Sequence, residues 1–278
     1  MTALVFTTIL FAAALHASWN AIVKAGKDTF LTTVLVSAFA AIWALIGLPF
    51  LPVPDSQSWP YIFISTLLQV IYCYLLATVY RLADMSLVYP LMRGVAPIIV
   101  ALTATHFLGE KLTGLTWLGI LIVCSGVLFA LVRMKSGNAK GVMLALLNAF
   151  IIAGYTLSDG IGVRLSGSPV AYTLWVFLLA GVLILIWPLV VQRRAFFAYT
   201  GQNWRLGAVG GMGAIASYGL ALWAMIGAPV AVVAALRESS ILFAALISFF
   251  ILKERVDAVR VISACLIVVG VAVLRCAS

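Results

Sequence analysis

Arg93 and Arg237 are the side chains of this 278-residue chain that most invite a chemical reading. Each lies inside a long apolar run. Each also precedes a glutamate by 17 residues: Glu110 in Leu108-Gly109-Glu110-Lys111, and Glu254 in Leu252-Lys253-Glu254-Arg255. The two arginines stand 144 positions apart. A guanidinium at the centre of a membrane helix costs about 2.5–3.5 kcal/mol on insertion scales, so its recurrence at one register points to a use. What a buried guanidinium does well is hold an oxyanion through a flat fork of N–H donors. Pro90, Gly94 and Pro97 flank Arg93, and a proline inside a helix kinks it and frees carbonyls that only protein or cavity water can satisfy. Tyr89, four residues before Arg93, shares its helical face. The pattern predicts a kinked helix that presents a cation and a phenol to a carboxylate or phosphonate.

Arg237 is followed by Glu238, Ser239 and Ser240. Glu238 is one residue away and projects elsewhere. Asp159 is therefore the expected partner of Arg237, since both fall in the same half of the membrane and a paired charge costs less than a lone one. His16, Trp19 and Asn20 form a stripe at spacings of three and four. An offset of 136 sets them against Ile152, Tyr155 and Thr156, with Asp159 one turn further on. Trp and Tyr stack on organic bodies, Asn both donates and accepts, and an imidazole, which ordinarily titrates near neutrality, makes His16 a candidate to couple proton movement to the site. Tyr74 and Tyr218 occupy equivalent positions in the repeat, and Trp223 and Trp175 join them as weaker lining candidates. Helix packing is the competing account of each: a structural ion pair, a histidine donating to a backbone carbonyl, a tyrosine at the interface. Cys73, Cys124, Cys265 and Cys276 show no metal or redox spacing and read as packing residues, so no metal or cofactor is implied.

The elements that position these groups follow from composition. Hydrophobic residues make up 65% of the chain and charged residues 9%, with a mean hydropathy of +1.20. That leaves too little polar surface for a water-soluble core. With ~20 apolar residues needed per crossing, the sequence predicts ten helices near residues 2–23, 30–51, 59–80, 85–108, 115–133, 141–163, 170–191, 206–227, 229–252 and 258–275. The first run has no basic leader and extends to Val23, which predicts a first transmembrane helix rather than a cleaved signal. Gly207, Gly210, Gly211, Gly213 and Ala214 form a small-residue face suited to close helix packing.

Residues 1–136 and 137–278 read as two five-helix halves, meeting at the polar stretch Lys135–Lys140. The 144-residue offset also matches Tyr74 with Tyr218, Ala77 with Ala221 and Gly126-Val127 with Gly270-Val271. Five is odd, so the second half enters from the opposite side, giving an inverted repeat around a central cavity. Apart from the two buried arginines, twelve Lys and Arg residues fall on one face and three on the other. The positive-inside rule places the termini on the outer face. The scattered basic residues show no nucleic-acid stripe.

Taken together, the duplicated five-helix unit resembles the EamA-type ten-helix exporters of the drug/metabolite transporter superfamily. The phrases Thr78-Val79-Tyr80-Arg81-Leu82-Ala83, Phe107-Leu108-Gly109-Glu110-Lys111-Leu112 and Phe250-Ile251-Leu252-Lys253-Glu254-Arg255 carry the resemblance. It implies an all-α basket walled largely by helices 1, 3, 4, 6, 8 and 9, and export of amino acids or other small metabolites. It also implies cytoplasmic termini, the reverse of what the charge bias predicts. Lys253 departs from the glycine at the matching place of the first half.

Three functions fit these residues: a secondary transporter, an intramembrane enzyme and a passive channel. The repeat, the midplane charges and the lack of a GxxxxGK[ST] phrase favour the transporter. No grouping of nucleophiles or carboxylates favours the enzyme. The expected partners are a small-molecule substrate and the lipid bilayer of the inner membrane, with the chain a monomer or homodimer. Within the site, Asp159→Asn is expected to weaken function more than Asp257→Asn, because only Asp159 lies inside a span.

Overall fold

The computed structural model describes residues 1–83, 85–133, 139–250 and 258–277. Leu252–Arg255, Asp257 and the polar stretch from Lys135 to Asn138 lie outside them. The described chain is all helical: α1 (Ala3–Ala25), α2 (Thr29–Gly47), α3 (Trp59–Leu82), α4 (Met85–Phe107), α5 (Gly114–Phe129), α6 (Ala139–Leu165), α7 (Pro169–Val191), α8 (Arg193–Gly227), α9 (Val230–Arg237), α10 (Ser240–Phe250) and α11 (Ala258–Cys276). Among the described residues, ten helical stretches are long and apolar enough to cross a membrane, α9 and α10 together making the ninth.

Polar side chains start several of these helices. Thr2, Asp28, Thr113 and Ser168 each accept a hydrogen bond from a backbone N–H of the first turn. The apolar exterior is broad, with Phe11, Phe63, Phe150 and Val190 all exposed. A face of that kind is stable only in lipid.

Two helices depart from the sequence expectation. α8 is 35 residues long and begins at Arg193, so residues 193–205, read as a loop, continue the helix. Phe196 is buried there against Leu31, Val34 and Ala38, and the Tyr199 hydroxyl lies 2.6 Å from that of Thr32. The ninth crossing is broken at Glu238 and Ser239, where N–H groups bond three residues back rather than four: Glu238 to Ala235 and Ser239 to Leu236, both at 3.1 Å. Such tightening inside a membrane helix marks a hinge or a site. It occurs at the level where α4 carries Pro90 and Pro97.

Several helix contacts recur when the two sets of five crossings are exchanged, although α8 packs on α6 and α7 more closely than α3 does on α1 and α2. α3 lies on α6 as α1 lies on α8, and α2 lies on α8 as α3 lies on α7. α5 packs on α11, α2 on α7 and α4 on α9, each of these pairs joining equivalent crossings. The exchange holds at atomic scale: a Cβ on Gly126 would meet Ile267 at 2.9 Å, and one on Gly270 would meet Val123 at 2.6 Å. Both contacts transform into each other under the 144-residue offset.

Candidate functional site

Between the halves lies a cavity of about 220 Å³. Its lining comes from α1, α2, α3, α4, α6, α7, α8 and the end of α9. Tyr155, Tyr218, Arg93 and Arg237 sit near the middle of the membrane. The other lining groups belong to the C-terminal parts of α1 and α3, the N-terminal parts of α2 and α4, the middle and C-terminal part of α7, and Ala214 of α8. The cavity therefore lies toward the face with the α1–α2, α3–α4 and α7–α8 connections, the one rich in Lys and Arg.

Arg93, inside the proline-bearing α4, meets Glu238 at the break of the ninth crossing. Its Nε donates to Glu238 Oε2 at 3.0 Å, and Nη2 lies 3.0 Å from Oε1. Both residues are buried, Arg93 at 8% and Glu238 at 4% exposure. They belong to opposite halves of the chain, so this pair fastens α4 to the break between α9 and α10. A second void of about 20 Å³ lies beside it, lined by Arg93, Pro97, Tyr155, Ala234, Arg237 and Glu238.

Arg237 is held differently. Its Cζ lies 5.0 Å from the centre of the Tyr218 ring, a cation–π contact. The Tyr218 hydroxyl donates to Asp159 Oδ2, and the Tyr172 hydroxyl donates to Asp159 Oδ1 at 2.9 Å. Asp159 is fully buried and does not line the cavity. The expected Arg237–Asp159 ion pair is thus replaced by a relay through Tyr218, because the tyrosine ring lies against the guanidinium. Gly94 occupies the position equivalent to Glu238, so the symmetry that gives Arg93 a carboxylate offers none to Arg237. Among the described residues, no ion pair involves Arg237.

The remaining candidates divide by helix face. His16, Trp19, Asn20, Tyr89 and Tyr155 line the cavity with both arginines and Tyr218. His16 and Trp19 meet edge to face at 5.2 Å, and Asn20 Nδ2 donates to the His16 carbonyl at 2.7 Å. Tyr74 does not line the cavity: it is 47% exposed, on the outward side of α3. Two residues on a helix differ by ~200°, so Tyr72 faces inward instead, with Gln69, Cys73 and Leu76. Trp223 is likewise outward, and Trp175 packs against Trp59 at 5.0 Å, away from the cavity.

The sequence reading passed over Tyr72, Gln69, Phe177 and Tyr172. The first two were legible as a stripe with spacings of three and four. Tyr172 had no signal, because its use depends on α7 lying against α6. Gln69 Nε2 donates to Ser65 Oγ at 3.0 Å, and Phe177 meets Tyr218 edge to face at 5.9 Å. Among the described residues, no three His, Cys, Asp or Glu side chains gather as metal ligands would. The arrangement can bind an organic body between aromatic rings and an oxyanion at a guanidinium.

A family model for the EamA-like transporter family matches residues 139–276. Among solved structures 29 chains match; one, described simply as a crystal structure of a protein, is 18% identical. The alignment covers 97% of this chain and 94% of that one, with a TM-score of 0.72, and it shows a shared fold. No curated protein matches.

Proposed function

From a chain that belongs to the EamA-like transporter family, and is a multi-pass membrane transporter of the drug/metabolite type, we propose a more specific activity. It exports a small organic metabolite, amino-acid-like or otherwise anionic or zwitterionic, across the inner membrane by alternating access. The observation that carries this reading is the cavity itself. It runs from the middle of the crossings toward the basic face, is built by both halves, and is lined by Arg93, Arg237 and a set of aromatic side chains. Packing that survives exchange of the halves supports an inverted repeat with its boundary near residues 136 and 137. In such a repeat each half can adopt the other's conformation, which moves the opening from one face to the other.

The polar groups divide the work. Arg93 and Glu238 neutralise each other and join the halves at the break of the ninth crossing. Arg237 offers its N–H donors to the oxyanion of the substrate, positioned by Tyr218 and through it by Asp159. Trp19, Tyr72, Tyr155 and Phe177 wall the organic body, and His16 lines the same cavity. The basic face is cytoplasmic, by the bias of Lys and Arg, and the termini are outside.

Reconstitution into liposomes tests the reading. Saturable uptake with counterflow, reduced at least tenfold by Arg237→Ala in folded protein, is the expected result. Conductance without counterflow would replace it with a channel, and product formation in detergent would replace it with an enzyme.

A further inference from the structure

The face opposite the cavity carries a clasp built from Glu110 and Arg164. Gly109 follows α4 at φ +67°, a left-handed conformation that suits glycine, and it turns Glu110 toward the second half of the chain. Glu110 Oε1 accepts from the Val230 N–H at 2.7 Å, and Oε2 accepts from the Ala231 N–H at 3.3 Å. These are the first N–H groups of α9, whose cap residue Pro229 offers no side-chain acceptor. The carboxylate thus caps a helix of the other half, where the helix dipole favours negative charge.

Arg164, at the end of α6, completes the clasp. Its Nη2 lies 3.3 Å from Glu110 Oε1. Its Nε donates to the Met225 carbonyl at 2.8 Å and Nη2 to the Ala228 carbonyl at 3.0 Å, which satisfies the end of α8. The connection between α8 and α9 is therefore gripped from both sides. The same face is tied by the Asp55 N–H to the Ser166 carbonyl at 3.1 Å, and by Arg275 Nη1 to the Met1 carbonyl at 3.1 Å.

We infer that Glu110 and Arg164 are the gate of this face, closed in the conformation described, and that α9 links the gate to the site. α9 is eight residues long. Glu110 holds its first residue, and its last is Arg237, with the Glu238 partner of Arg93 next. Val230 and Arg237 are ~10 Å apart along the axis at ~1.5 Å per residue. A substrate oxyanion that draws Arg237 shifts this rod and loosens the clasp at its other end. The inference rests on the alternating-access reading, but its gate can be measured without a substrate.

The test is thiol accessibility of Ala234→Cys, in a variant with Cys73, Cys124, Cys265 and Cys276 replaced. Ala234 lines the void between the clasp and the cavity. A membrane-impermeant thiol reagent is added to sealed vesicles of known orientation, from the face bearing the termini. Glu110→Gln and Arg164→Met are each expected to speed labelling about tenfold or more, the scale of one lost charged hydrogen bond. The double variant is expected to add little to either single one, since the two act as a unit. Arg164→Lys, a milder change, gives an intermediate rate and serves if the others do not fold. Unchanged labelling in folded Glu110→Gln or Arg164→Lys protein would overturn the gate, even where vesicles still show flux. Faster labelling without flux of any tested metabolite would keep the gate and count against the transport reading.

Discussion

Arg93 and Glu238 meet across the boundary between the two halves, Nε to Oε2 and Nη2 to Oε1 both at 3.0 Å, where the ninth crossing breaks its helix against the proline-bearing α4. Pro90 and Pro97 each remove a backbone donor inside α4, and a tightened turn interrupts the ninth crossing. Irregular backbone survives at membrane depth only where protein or a cavity satisfies it. The pair has a cost: desolvating two ions consumes much of their attraction. A buried pair of that kind suits a contact that specifies the register of α4 against the ninth crossing.

That argument predicts a double-mutant pattern. Arg93→Met or Glu238→Met alone leaves one buried charge unpaired and should destabilise the protein by roughly 3–5 kcal/mol. The double replacement removes both charges and should recover most of that loss. Thermal unfolding in one detergent, with all four proteins side by side, reads the cycle. Singles that lose as little stability as surface mutants would mean that the charges are not paired in the membrane.

The ten crossings were legible because apolar run length alone decides whether a segment spans, and the repeat offset of the sequence also relates the close contacts of Gly126 and Gly270. The site was legible in part. The stripe of His16, Trp19 and Asn20 announced itself by spacing, as did Tyr89 with Arg93. Partner choice did not: Arg93 and Glu238 lie 145 residues apart, and nothing local says that one completes the other. Tyr74 drew attention through its match to Tyr218, yet α3 is turned so that Tyr72 faces inward. A symmetry of sequence position did not fix that rotation, which packing decides. Glu110 read as a helix-end charge; its role as a cap for α9 needed the fold.

The turn of α3 gives a direct comparison. Tyr72→Ala should reduce flux several-fold, because the ring lines the cavity and meets Tyr155 edge to face at 6.1 Å. Tyr74→Ala should leave flux within about twofold, since that side chain points to lipid. Initial rates at matched protein density in vesicles make the comparison. Equal losses would argue that the cavity wall runs elsewhere on α3.

Tyr218 joins Arg237 to Asp159 by two different properties of one side chain. Its ring faces the guanidinium and its hydroxyl reaches the carboxylate. Tyr218→Phe keeps the first and removes the second, so Asp159 retains only the Tyr172 hydroxyl among these two tyrosine donors. Loss of one charged hydrogen bond, about 1.5–3 kcal/mol, should appear in stability. Tyr218→Leu removes the ring as well and should further weaken substrate binding. Ligand-induced stabilisation measured on both variants separates the two effects.

The contact between α2 and α8 has no slack. A Cβ on Gly211 would lie 2.7 Å from the Ala40 nitrogen and 3.0 Å from the Val36 carbonyl oxygen, both backbone atoms that cannot rotate away. Gly211→Leu should therefore force the helices apart and cost at least the ~1–3 kcal/mol typical of overpacking. Gly201→Leu is the control, because a Cβ there meets nothing within 4 Å. Monodisperse yield after extraction distinguishes them, and equal yields would mean that the helices do not approach so closely.

Cys73 offers a native probe of the opening. It lines the cavity on the side of the basic face, whereas Cys124 is buried between helices and Cys265 and Cys276 are exposed on the exterior. A bulky, impermeant thiol reagent applied from the basic face should modify Cys73 and stop flux by filling a cavity of only about 220 Å³. Saturating substrate should slow that modification, since both compete for the same space. The Cys73→Ser protein, whatever its own rate, should be indifferent to the reagent. Mass spectrometry of the labelled peptide confirms which thiol reacted. Inhibition that persists in Cys73→Ser would place the blocking thiol outside the cavity and detach this opening from the transport path.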